Sequence, residues 1–163
     1  MEPKTARRVD PQDRRQSPVT VRSIPSIGCS AHSIVLTLKG ETRAADLKAG
    51  DKVITRDCGT AVVRRVTRQQ TVCDAVLVKA GSLGHRRPPS DAILPATACL
   101  LVRDWRAQAL FGRPQAVVQA SRLCDGEFIS PLPDHQMDTV TLEFDRPHIL
   151  YIAGLELACE GTQ

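Results

Sequence analysis

Aromatic side chains are scarce in this chain: three Phe, one Trp and one Tyr among 163 residues. A core has to be assembled from Val, Leu, Ile and Ala instead, and β-branched and aliphatic residues in short runs favour a sheet. Also missing is any apolar stretch near the ~20 residues needed to span a bilayer. Residues 1–28 carry charges and prolines where a signal peptide needs an apolar segment, so a cytoplasmic location is expected. The six cysteines, at 29, 58, 73, 99, 124 and 159, include no C-x-x-C pair and have no neighbouring His at zinc-ligand spacing. They read as separate thiols, several of them buried as small apolar groups. No Gly-rich phosphate loop, G-x-S-x-G elbow or metal motif occurs, and neither a metal nor another cofactor is expected.

What the chain does contain is an ordinary apolar fraction of 42% in a length that suits one domain. The net charge of +4 comes largely from arginine pairs at 7–8, 14–15, 64–65 and 86–87, none beside an aromatic residue. Sequence-specific nucleic-acid binding is therefore not expected, although weak attraction to polyanions is allowed. Residues 1–22 combine Pro3, Pro11 and Pro18 with charged residues and Gln, which predicts a disordered basic leader ahead of a folded domain over residues 23–163.

Within that domain, the run Ser33–Leu38 stops at Lys39-Gly40-Glu41 and reads as a strand followed by a tight turn. Ala44–Leu47 is too short for a full helix. Lys52–Thr55 and Ala61–Thr67, joined through Asp57-Cys58-Gly59-Thr60, read as a hairpin. Further strands are expected at Ala75–Lys79, Ala98–Val102, Ala116–Gln119, Val140–Phe144 and Ile149–Ile152. Gly81–Ser90 and Asp125–Asp138, rich in Gly and Pro, read as loops. Helix is confined to Gln119–Cys124 and a turn at Asp104–Leu110, so the fold class is all-β with few short helices.

The segments Gly40-Glu41 and Ala45-Asp46-Leu47-Lys48-Ala49-Gly50-Asp51-Lys52-Val53-Ile54-Thr55-Arg56-Asp57 are similar to a "G-E … D-L-x-x-G-D-x-V-x-T-R-D" pattern. Val76–Gly84 is similar to "V-x-I-x-A-G-A-L-G", and Phe144-Asp145-Arg146 through Gly154-Leu155 to a closing "D-R-H-E … A-x-G-L". Together these runs, in order between Cys29 and Leu157, resemble the short bacterial stand-alone Hint (Hedgehog/intein) domains. The resemblance implies a horseshoe-shaped β fold with an internal pseudo-twofold and a central cleft.

It also implies a chemistry. In the family, a leading Cys or Ser attacks the preceding carbonyl in an N-to-S or N-to-O acyl shift, and a His in a Ser/Thr-Pro-x-His segment protonates the departing nitrogen. Cys29 after Gly28 matches the nucleophile and the scissile bond. Leu94-Pro95-Ala96-Thr97 occupies the histidine segment, with Thr97 where the His belongs. A threonine hydroxyl is no proton source at neutral pH, and losing the acid costs ~10²–10⁴ in rate. His148, close to the family's histidine in the closing block, is a candidate replacement, and His32, three residues after Cys29, is another. His85 and His135 fall in polar, Pro-containing loops and read as solvated. Asp57, beside Arg56, reads as a surface or turn residue.

Three departures gather where the family does its chemistry: Thr97, a Cys29–Gly40 spacing one residue short, and a terminus reading Ala158-Cys159-Glu160-Gly161-Thr162-Gln163 without a His-Asn pair. The expectation is a Hint-type domain degenerate in catalysis and unable to splice, whose partner would be another protein. The alternative is autoproteolysis at Gly28–Cys29, a cysteine-endopeptidase-like activity on itself using Cys29, Thr97 and His148. A further alternative is a basic β-rich protein associated with nucleic acid, whose affinity would fall steeply with salt. No membrane partner is expected.

Overall fold

A computed structural model describes residues 24–159, and the leader expected over residues 1–22 lies outside the described residues. Twelve strands and one short helix follow one another among them. In the first half these are β1 (Ser26–Ser30), β2 (Ile34–Thr37), β3 (Gly40–Arg43), β4 (Lys52–Thr55), β5 (Gly59–Val62) and β6 (Arg65–Val78). In the second half come β7 (Ala92–Pro95), β8 (Cys99–Val102), α1 (Trp105–Phe111), β9 (Ala116–Gln119), β10 (Ile129–Glu143), β11 (Ile149–Ile152) and β12 (Leu155–Ala158). A 3-10 turn at Ala44–Asp46 precedes β4, and another at Ala120–Leu123 precedes β10.

One sheet has four strands in the order β1-β10-β6-β7. The other runs β3-β2-β4-β11-β12-β8-β9, with β5 beside β4. All the ladders are antiparallel. Short strands with alternating burial supply the core: Ile27 and Cys29 from β1, Val35 from β2, Val53 from β4, Leu94 from β7, Leu100 from β8, Val140 and Leu142 from β10, Leu150 and Ile152 from β11. All four residues of β12 are buried, as befits a strand flanked by β11 and β8.

The internal pseudo-twofold is visible in the backbone hydrogen bonds. Ala44 N–H donates to the Ser33 carbonyl and Ala45 N–H to that of Ala31. In the second half, Ala120 N–H donates to Ala98 and Ser121 N–H to Ala96. Ala31 N–H donates to Asp138 on β10 just as Ala96 N–H donates to Asp74 on β6. The two 3-10 turns therefore correspond, Ala44 with Ala120 and Leu47 with Leu123, and all four side chains are buried. By the same correspondence, β1 matches β7, and His32 matches Thr97.

Several boundaries differ from the sequence expectation. The strands expected at Ala61–Thr67 and Ala75–Lys79 belong to β5 and to a single 14-residue β6. The loop expected over Asp125–Asp138 is mostly β10, which continues through Pro131 and Pro133. Pro131 is paired in regular register opposite Val76, whereas Pro133 falls at an irregularity in register between Leu132 and His135, where Asp134 takes a positive φ. Gln119–Cys124 forms only the 3-10 turn. The one α-helix among the described residues is α1, started by the Asp104 carboxylate accepting from Arg106 N–H and ended by left-handed Gly112. Strands β1, β3, β7 and β12 were not anticipated.

Candidate functional site

β1 places Cys29 inward. Its side chain is 0% exposed, packed in the core, and donates a weak hydrogen bond to the Val140 carbonyl across the ladder, Sγ to O 3.7 Å. Burial pushes the thiol pKa up to about 12. Gly28 lies opposite Thr141 and Cys29 opposite Val140, so the bond between them is part of an ordinary antiparallel ladder. A Cβ at Gly28 would meet nothing within 4 Å.

Thr97 is exposed in the connection from β7 to β8, where its carbonyl accepts from the Cys99 thiol. Its counterpart by the repeat, His32, is exposed in the β1–β2 turn. His32 borders an open cleft of about 620 Å³ that Ser33, Glu41, Asp91, Ile93 and Tyr151 also line. Of the two histidines read as solvated loop residues, His85 is exposed in the segment between β6 and β7, whereas His135 is half-buried on β10.

His148, at the approach to β11, is buried. Its Nδ1 lies 2.9 Å from Asp57 Oδ2 and 3.6 Å from Cys58 Sγ. Its backbone N–H donates to the sulfur of Cys159, and its ring meets Phe144 edge to face with centroids 5.6 Å apart. Asp57 is held from its other oxygen by the Ile149 N–H at 2.9 Å. Burial works to raise the Asp57 pKa, but the hydrogen bonds from Ile149 N–H and His148 outweigh it and hold this carboxyl below its usual range. Cys58 Sγ also lies 3.3 Å from the Thr55 hydroxyl and 3.3 Å from the Thr60 carbonyl.

Cys29 and Thr97 make no hydrogen bond to each other or to His148 among the described residues. Cys29 belongs to the four-stranded sheet, and His148 leads into the eight-stranded one. The side chains brought together with His148 are Asp57 and Cys58, which sequence reasoning had left in a hairpin connection. The only signal for Asp57 was its place in the T-R-D run. Cys58 had none, since its partner lies 90 residues away.

A separate polar cluster surrounds Glu156 on β12, whose carboxylate is 2% exposed. Arg103 holds both its oxygens at 2.8 and 3.1 Å, Arg87 stands at 3.0 Å and Arg56 at 3.2 Å. None of the six cysteines forms a disulfide, and no helix among the described residues is long and apolar enough to cross a membrane.

Fifteen solved chains match this structure with significance. A bacterial intein-like domain from Clostridium thermocellum superposes with a TM-score of 0.58 at 16% identity, covering 82% of this chain and 97% of that one. The TvoVMA intein gives 0.56 at 13% identity over 85% and 99%. The MchDnaB-1 intein gives 0.53 at 14% over 80% and 98%. At such identities the likeness establishes the fold alone. No curated protein sequence matches the chain. The family model for the Hint domain matches residues 28–161. On the strength of that match, over a β fold whose two halves repeat the same hydrogen bonds, the chain belongs to the Hint domain family.

Proposed function

We propose that this is a non-cleaving Hint domain, kept as a binding or structural module for another protein rather than as a self-processing element. The observation that carries the reading is the environment of Cys29. Its thiol is sealed in the core, and with a pKa near 12 it is ionised at pH 7.5 to only about 3 parts in 10⁵. An acyl shift also requires a donor for the departing Cys29 nitrogen, and Thr97 has no acidic proton to offer. Nor does His148 take over that role: its Nδ1 is turned to Asp57 and Cys58. The two deficits multiply, about 10³ from ionisation and ~10²–10⁴ from the acid.

Intact mass of the purified chain, followed over several days with and without a small thiol that traps thioesters, tests this. An unchanged mass for both the native chain and Cys29→Ala is expected. A fragment beginning at Cys29 in the native chain, absent from Cys29→Ala, would overturn the reading in favour of autoproteolysis at Gly28–Cys29.

A further inference from the structure

Asp57, Cys58 and His148 offer one oxygen, one sulfur and one nitrogen, all within 4.8 Å of one another. Two chemistries use such a set. In a nucleophilic relay the groups act in series: the thiol addresses one ring nitrogen of the His, and the carboxylate holds the other. Here both Cys58 Sγ and Asp57 Oδ2 address the same atom, Nδ1, at 3.6 and 2.9 Å. That arrangement is not a relay; it gathers a thiol and a carboxylate about one ring nitrogen.

We propose that these three side chains bind a divalent transition cation of the zinc type, with a fourth position open to water. Tetrahedral zinc with ordinary Zn–S and Zn–N lengths separates a sulfur from a nitrogen ligand by about 3.6 Å and a nitrogen from an oxygen ligand by about 3.3 Å. Cys58 and His148 already stand at the first spacing, Asp57 needs to retreat from Nδ1 by a few tenths of an ångström, and its oxygen, within 4.8 Å of the Cys58 sulfur, has to settle about 3.6 Å from it, adjustments open to two exposed side chains. Thiolate, carboxylate and neutral imidazole together carry two negative charges, matching the ion. On binding, the Cys58 thiol proton leaves to solvent, and the proton that Nδ1 donates to Asp57 in the free chain is given up to solvent as the imidazole takes its single proton on Nε2, freeing Nδ1 for the metal.

The surroundings are those of a held site. The Ile149 N–H fixes the remote oxygen of Asp57, Phe144 packs against the imidazole, and the His148 N–H is tied to the Cys159 sulfur. The nearest basic neighbour in sequence, Arg56, is engaged with Glu156. Asp57 and Cys58 are exposed while His148 is buried, so an ion has a route from solvent. This inference is independent of whether Gly28–Cys29 is cleaved, because Cys29 takes no part.

Titration of the metal-free chain with Co²⁺ tests it directly, Zn²⁺ then being used to displace the cobalt. One equivalent is expected to produce a sulfur-to-cobalt charge-transfer band with visible bands of tetrahedral intensity, and Zn²⁺ is expected to raise Tm. Cys58→Ser should abolish the charge-transfer band and weaken binding at least about 100-fold, and Asp57→Asn should weaken it at least tenfold. Cys73→Ser, a cysteine on β6 outside the cluster, should change nothing. Both test side chains are exposed, so folding is readily verified by circular dichroism. Absence of the band from the native chain, or its survival in Cys58→Ser, would overturn the proposal.

Discussion

Glu156→Gln is expected to be among the most damaging isosteric substitutions in the domain. The carboxylate is 2% exposed and engages three guanidiniums, whose side chains are 30–33% exposed. Glutamine keeps the shape but removes the charge, leaving three arginines that repel one another around a neutral amide with too few acceptors. Removing one partner of a buried ion pair costs about 3–5 kcal/mol. Because each arginine retains contact with water, screening reduces the figure here to about 2–3 kcal/mol. For a domain of this size that corresponds to a fall in Tm of roughly 5–10 °C. The assay is urea denaturation at pH 7 alongside calorimetry, with Asp145→Asn as the control. Asp145 pairs with Arg64, but their side chains are 65% and 57% exposed, so its loss should cost under about 0.5 kcal/mol. Equal effects from the two substitutions would refute the assignment of Glu156 as the electrostatic centre of the larger sheet.

Two further outcomes follow from local geometry. The Asp125 pKa is held below its usual range, first by the Ile129 N–H, then by that of Glu127, against a small opposing effect of burial, with Phe128 N–H and Arg106 adding to the depression. Its contribution to stability is therefore full above the unfolded value of about 3.9 and lost as pH falls through the depressed value. Because Asp125 is exposed, solvent screens much of this, and Asp125→Ala should cost no more than about 1 kcal/mol at neutral pH while flattening the acid limb of the stability profile; an unchanged limb would contradict this. At the β11–β12 hairpin, Ala153 and Gly154 both have positive φ, 54° and 72°. Ala153→Gly should stabilise by about 1 kcal/mol, whereas Gly154→Ala should destabilise strongly, because its Cβ would lie 2.2 Å from Pro89 Cδ. Thermal unfolding of the two variants checks the opposite signs.

The sequence made some elements plain and left others invisible, for physical reasons. β4, β9 and β11 lie where their apolar runs predict them, each bounded by turn-forming or charged residues. Of β6 and β10 only the ends were anticipated, because the middle of each is exposed or only half-buried, so no hydrophobic alternation marks it, and prolines in β10 imitate a loop. The burial of Cys29 follows the Ile27–Cys29 alternation of β1, a strand too short and too close to the charged, Pro-containing leading segment to be anticipated. The cluster around His148 was not legible, because its members are separated by 90 residues and no local spacing announces a meeting made by strand pairing.

That pairing also governs how the molecule comes apart. Every ladder of the four-stranded sheet, β1 with β10, β10 with β6 and β6 with β7, joins a strand from before Gly81 to one from after Pro88. The halves are interlocked like clasped hands, and neither keeps a single pair of that sheet without the other. The larger sheet does hold ladders within each half, β2 with β3 and β4 with β5 in the first, β8 with β9 and β11 with β12 in the second, so it is the smaller sheet that must be lost in one step and that, in folding, waits for contacts across most of the chain's length.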